Sequence, residues 1–220
     1  MKERPISFGA SMVQAILDGQ KTHTRRTKNI PQEAHSVHFS LDRQKWCFRL
    51  PSDKLAFRQC PYGSPGHRLW VKEAWATWDG FDDVKPSEVD TGAPIRYMAD
   101  GAVIGKMPDT LGRGAGKLRA AMFMPRAFSR IMLEIVTVDC ERLHTINHEQ
   151  AICEGIGQVG MFGRLPRYRD YLGYDPDGYT DGVMSFQTLW DSINGRRKGM
   201  AWADNPWVWD IGFKVLEVRS

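Results

Sequence analysis

The chain has 220 residues, 42% of them hydrophobic and 25% charged, with 30 Lys and Arg against 26 Asp and Glu. That length carries one sizeable core or at most two small ones, and that composition excludes a wholly disordered chain. A formal charge of +4 permits a nucleic-acid partner without requiring one, and no apolar run approaches the ~18 residues of a membrane span.

Pro5 to Phe8 reads as a short strand. Ser11, with Gln14 three residues on, has the pattern of a capping box and predicts a helix whose apolar stripe is Val13, Ile16 and Leu17. Gly19 is placed to close that helix. Directly after it stand Lys21, Thr22, His23, Thr24, Arg25 and Arg26, which put an amine, two hydroxyls, an imidazole and two guanidiniums in consecutive positions. Such a density of donors and bases at a helix exit exceeds what solubility asks for and marks the candidate site of chemistry. Thr22 to Thr27 also has the β-branched, alternating character of a strand.

A polar stretch follows, broken by the hairpin-strand candidate Lys45 to Leu50. Turn residues from Pro61 to Gly66 deliver the chain into the strand Leu69 to Trp75. Alternation there sets Glu73 on an apolar face, which is costly unless the carboxylate is paired; the bland reading is a bulge that turns it to solvent. About 79–117 reads as an irregular insertion around one short strand at Ile95 to Met98. Arg130 to Val138 is a β-rich run, Asn147 to Glu154 a short helix ended by Gly155, and 156–184 a second irregular insertion. Phe186, Leu189, Trp190 and Ile193 mark an amphipathic helix, and the last strand alternates Trp207, Trp209, Ile211, Phe213 and Val215 against Val208, Asp210, Gly212 and Lys214. Non-sequential strands with two or three helices between them predict an α+β fold, a small mixed β-barrel in a single domain over 1–220.

Several motifs resolve into bland readings. Gly155 to Gly160 matches G-x-G-x-x-G but follows a helix rather than a strand, so the dinucleotide-binding context is missing. Gly112 to Lys117 resembles a phosphate loop only faintly, with Leu118 where Ser or Thr should bind magnesium. The four cysteines have no C-x-x-C spacing, and Cys60 with His67 is a weak match to zinc ligation. No metal and no cofactor are implied. Met1 to Phe8 lacks the apolar run of a signal peptide, so reduced thiols and a cytoplasmic location are expected. Arg164, Arg167, Tyr168, Arg169, Tyr171, Tyr174 and Tyr179 interleave guanidiniums with rings, a pattern that can stack bases along a phosphate backbone, against the bland reading of a solvated excursion with packed tyrosines. Glu154 sits in the last turn of its helix, where the helix dipole disfavours a carboxylate. It is either a surface accident or a group kept for chemistry.

In order, these pieces resemble the ASCH family, whose domains have a PUA-like β-barrel fold. The likeness rests on Gly19-x-Lys21-Thr22-x-Thr24-x-Arg26, on Gly66 to Val71, on the Arg130 strand, on His148 to Gly155 and on the terminal strand. With Cys60 to Gly63 and Leu69 to Glu73, it is greatest to the longer phage and prophage members. The resemblance implies an RNA-associated domain, and in the small bacterial members an amidohydrolase that removes the acyl group from N4-acetylcytidine. It transfers the catalytic roles to Lys21, Thr24 and Glu154. Thr22, His23, Arg25, Arg26, Trp70 and Glu73 are then the substrate-binding candidates, and a modified nucleoside or RNA is the expected partner, with no membrane involved. Lys21 can serve as base for Thr24 where burial or Arg25 lowers its proton affinity. A non-catalytic RNA-binding module is the alternative, as is a ribonuclease using His23 beside Lys21. The large insertions leave substrate choice open.

Overall fold

The computed structural model describes residues 2–105 and 116–219, a mixed α+β chain with three α-helices among those residues. Its elements are β1 (Glu3–Ser7), α1 (Ala10–Leu17), β2 (His23–Arg26), β3 (Ser36–Ser40), β4 (Lys45–Arg49), β5 (Leu55–Arg58), β6 (Arg68–Lys72), β7 (Trp75–Ala76), β8 (Ile95–Tyr97), β9 (Val103–Ile104), β10 (Ile131–Arg142), α2 (His148–Cys153), β11 (Gln158–Phe162), β12 (Leu165–Tyr168), α3 (Gly182–Asn194) and β13 (Trp207–Val218). They fall into two compact units. The first comprises Met1–Gly19, Gly66–Glu134 and Lys214–Ser220; the second comprises Gln20–Pro65 and Ile135–Phe213.

In the first unit β1 runs parallel to β6 with Ile6 opposite Val71, and β10 runs antiparallel to β6 with Met132 opposite Trp70. Pleating buries Leu69 and Val71 while Trp70 is half-buried. Helix α1 buries Met12, Val13, Ala15 and Ile16. It starts earlier than the Ser11 pattern predicts: Gly9 is the N-cap, no side chain caps the end, and Gln14 instead donates to Asp18 Oδ1 at 2.8 Å. Gly19 closes the helix as expected, at φ +73°, where a side chain is strained.

The first insertion is more ordered than predicted. Trp75 of β7 lies opposite Tyr97 of β8, and β9 completes a small antiparallel sheet. Val89, Ala93, Ile95 and Tyr97 bury themselves with Trp75, Met124 and Phe128 in a core of their own. Their apolar positions follow no helical or strand period across the loops, which is why sequence patterning misses them. Most of the phosphate-loop look-alike at Gly112 to Lys117 lies outside the described residues.

In the second unit β3, β4 and β5 form an antiparallel meander, so the single strand predicted at 45–50 is its middle member. Phe48 and Trp46 pack edge-on against Trp209 at 6.1 and 6.0 Å between ring centres. β13 runs antiparallel to β2, placing Asp210 opposite Arg25, Ile211 opposite Thr24 and Gly212 opposite His23. Trp207, Trp209, Ile211 and Phe213 of the predicted alternating set are buried and Val215 is exposed, while Val208 and Gly212 on the other face are buried too. That strand is therefore covered on both faces over its first half. A true capping box, Asn147 with Gln150, opens α2. The second insertion, predicted irregular, contains the β11–β12 hairpin; its Val159, Met161, Phe162 and Leu165 are exposed and leave no amphipathic signature. Among the described residues no helix is long and apolar enough to cross a membrane.

Candidate active site

The second unit brings together residues far apart in sequence. Thr22 N–H donates to the Cys153 carbonyl at 2.9 Å, and Phe213 N–H donates to the Thr22 carbonyl at 2.8 Å. These two backbone bonds tie the start of β2 to the end of α2 on one side and to β13 on the other. Glu154 is the C-cap of α2, and Gly155 follows at φ +81° to let the chain turn away.

Into this corner Lys21 projects a side chain that is almost wholly buried. Its Nζ donates to the His23 carbonyl at 2.8 Å, the Glu154 carbonyl at 2.6 Å and Glu154 Oε2 at 2.8 Å. Three acceptors match the three protons of an ammonium. One of them is a carbonyl at the helix end, which has no partner within the helix. The carboxylate that the dipole disfavours thus stands beside two cations, and the surface-accident reading of Glu154 fails because the residue is buried. Burial pulls the Lys21 ammonium below the ordinary lysine range, Glu154 opposes that shift, and the charges of Arg26 and Arg25 reinforce it. The proton is well held by hydrogen bonds yet easier to give up than that of an exposed lysine.

Arg25, also buried, serves three carboxylates. It donates to Glu154 Oε1 at 3.3 Å, to Glu141 Oε1 of β10 at 2.8 Å and to Asp210 Oδ2 of β13 at 3.3 Å. Glu141 and Asp210 escaped the sequence reading. Asp210 carried a signal, being the one carboxylate inside the aromatic run 207–213; Glu141, at the end of a long strand, carried none. Burial pushes Asp210 up to about 6, and the neighbouring Glu154 and Glu141 charges add to it against the pull of Arg25 and His23.

Thr24 is buried in β2 between His23 and Arg25. His23 accepts or donates a bond with Thr22 Oγ1 at 3.1 Å. A Cβ at Gly212 would stand 2.3 Å from Thr137 Oγ1 and 3.1 Å from His23 Nε2, so glycine here clears the Thr137 hydroxyl and eases the fit of the His23 ring. Burial lowers the Arg26 pKa, with Tyr62 and Glu154 opposing. Lys21, Arg25 and Glu154 are therefore joined directly; His23 and Thr24 stand beside Arg25 in β2, and Thr22 lies between Lys21 and that strand.

Trp70 and Glu73 belong to the first unit. Trp70 lies under two cations, Lys72 Nζ at 5.5 Å and Arg126 Cζ at 5.9 Å from its ring centre. Glu73 is buried and paired: Arg130 donates through Nε to Oε1 at 2.9 Å and through Nη2 to Oε2 at 3.0 Å. The strand predicted over Leu69 to Trp75 breaks at Glu73 and Ala74, but the carboxylate turns inward rather than to solvent, where a bidentate guanidinium makes it tolerable.

The aromatic and arginine segment is mixed. Tyr168 is buried, Tyr171 Oη accepts from Gly157 N–H at 2.8 Å, and Tyr179 Oη donates to Asp170, whereas Tyr174 is exposed. Among the described residues no group of three or more His, Cys, Asp or Glu is arranged to hold a metal ion.

No family model matches the chain, and no curated protein matches it. Among solved structures it is similar to protein EF3133 from Enterococcus faecalis V583, described as DUF984, at 9% identity and a TM-score of 0.41, over 100% of this chain and 83% of that one. A likeness that shallow carries no argument about fold or function.

Proposed function

We propose that the chain is an ASCH-family hydrolase on a PUA-like β-barrel fold that removes the acyl group from an N4-acylated cytidine or a related modified nucleoside. The observation that carries this reading is the buried ion pair of Lys21 and Glu154, 133 positions apart and 2.8 Å from each other. These are two of the three residues to which the family resemblance assigns chemistry, and Thr24, the third, is buried in the adjoining strand.

In this reading Lys21 hands a proton to Glu154 and becomes the base. Thr24 Oγ attacks the acyl carbon while its proton passes to Lys21. Collapse of the tetrahedral intermediate breaks the C–N bond, and the departing cytosine amine takes the proton from Lys21. Water then attacks the acyl-threonine ester, Thr24 regains its proton, and the carboxylic acid leaves. Lowering of the Lys21 pKa by burial supports the first step.

A second reading has its own support. An ammonium with three oxygens already on it is also a well-made structural pair, which suits a binding module that turns nothing over.

Incubation with N4-acetylcytidine, followed by chromatography of free cytidine, separates the two. The hydrolase reading expects release by the native chain and none by a folded Lys21→Ala variant. No release, or release that survives the substitution, overturns it. In that event RNA binding that weakens with salt favours the binding module, and cleaved RNA favours the ribonuclease.

A further inference from the structure

Arg25 lies outside the Gly-x-Lys-Thr-x-Thr-x-Arg element, whose arginine is Arg26. Yet it pairs with three carboxylates, Glu141, Glu154 and Asp210. We propose that Arg25 is the positioning residue of this site: held from one side by Glu141 and Asp210, it grips one oxygen of Glu154 and so aims the other at Lys21.

The geometry gives each contact a direction. Glu154 presents Oε1 to Arg25 and Oε2 to Lys21, so its carboxylate plane is fixed by two cations at once. A planar guanidinium can bridge several acceptors in a set orientation, which an ammonium on a flexible stem cannot. Arg25 is fixed in turn by the sheet, because Asp210 is its cross-strand partner and Glu141 comes from β10. Its side chain has no exposed surface, so solvent does not compete for its donors.

The cluster is also unbalanced. Asp210 Oδ1 and Arg25 Nε are buried without a hydrogen-bond partner among the described residues, so the polar groups of the cluster are not all satisfied. A proton on Asp210 reduces the repulsion among Asp210, Glu141 and Glu154, which share the cations Arg25, Lys21 and Arg26 and face His23. Arg25 therefore links the protonation of Asp210 to the placement of Glu154 and to the proton affinity of Lys21.

This inference rests on the hydrolase reading for its kinetic consequence but not for its electrostatic one. The test uses the full chain with ¹⁵N-labelled lysine, following the Lys21 Nζ resonance against pH in the native protein and in Arg25→Met and Arg25→Lys. It also measures cytidine release from N4-acetylcytidine and thermal melts, with all three readouts for the double variant Arg25→Met with Asp210→Asn. Removal of the Arg25 charge in Arg25→Met is expected to raise the Lys21 midpoint, since that charge depresses it.

Loss of the Glu154 anchor is expected to lower kcat by ~10- to 100-fold with KM nearly unchanged, the size of effect that a small misplacement produces. Arg25→Lys, which keeps the charge but not the fork, should leave the midpoint nearer the native value and still lose kcat. The double variant should regain thermal stability and not kcat, which a merely structural role does not allow. A Lys21 midpoint unmoved in Arg25→Met, or kcat restored in the double variant, overturns the proposal. A moved midpoint in a protein that releases no cytidine supports the coupling and overturns the hydrolase reading alone.

Discussion

Two buried arginines in this chain solve the same problem in opposite ways. Arg130 meets Glu73 through two bonds and Asp100 through two more, at 2.8 and 3.1 Å, so all four carboxylate oxygens are satisfied. The ring of Tyr97 covers its guanidinium at 4.2 Å. Arg25 meets three carboxylates through one bond each, beside a buried lysine, and leaves Asp210 Oδ1 without a partner. A closed network of the first kind holds a fold together. An open one of the second kind, with a labile proton beside it, is where chemistry is to be sought.

The largest effect expected from this contrast is on stability at Arg130. Arg130→Met strands Glu73 without its partner and should cost about 3–5 kcal/mol in denaturant unfolding. Arg25→Met should cost about 1–3 kcal/mol, because Lys21 remains on Glu154 and Asp210 can take up a proton. Equal or reversed losses would mean that the two arginine networks do not differ in how firmly they hold the fold.

Asn147→Ala removes the capping box of α2, the helix that delivers Glu154. It should cost ~1 kcal/mol and displace Glu154 enough to lower activity. Asp210→Asn tests the open cluster most gently. The folded-state pKa of Asp210, about 6, lies above its unfolded value, so the folded protein binds that proton more tightly. Stability from this group is therefore full below the unfolded pKa and lost as pH rises through about 6. Thermal melts of Asp210→Asn should lack this contribution, the gap from the native chain changing by on the order of 1 kcal/mol between pH 4 and pH 7.

Legibility from sequence followed the physics of each element. Helices α2 and α3, the terminal strand and the first part of β10, predicted over Arg130 to Val138 and running on to Arg142, are readable, since local periodicity and end signals suffice for them. The core around Trp75 and Tyr97 was not, because its residues come from loops where no period exists. Lys21 and Glu154 could be named separately from a motif and a misplaced charge. Their meeting depends on the backbone bond from Thr22 to Cys153, a tertiary contact that no local pattern encodes. Glu141 has no local signal at all, and the lone carboxylate of Asp210 in its aromatic run does not point to its partner Arg25. The inward Glu73 was visible from alternation, while its partner Arg130, 57 positions on, was not.

The most direct test of the contrast is cytidine release from N4-acetylcytidine by Glu154→Gln and Asp100→Asn, the second removing a carboxylate of the Arg130 network, measured side by side and normalised to folded protein. A loss of at least ~100-fold is expected for Glu154→Gln, in line with removal of a catalytic acid–base group, and a rate within a few fold of native for Asp100→Asn. Release that survives Glu154→Gln, or that vanishes in Asp100→Asn, overturns the contrast.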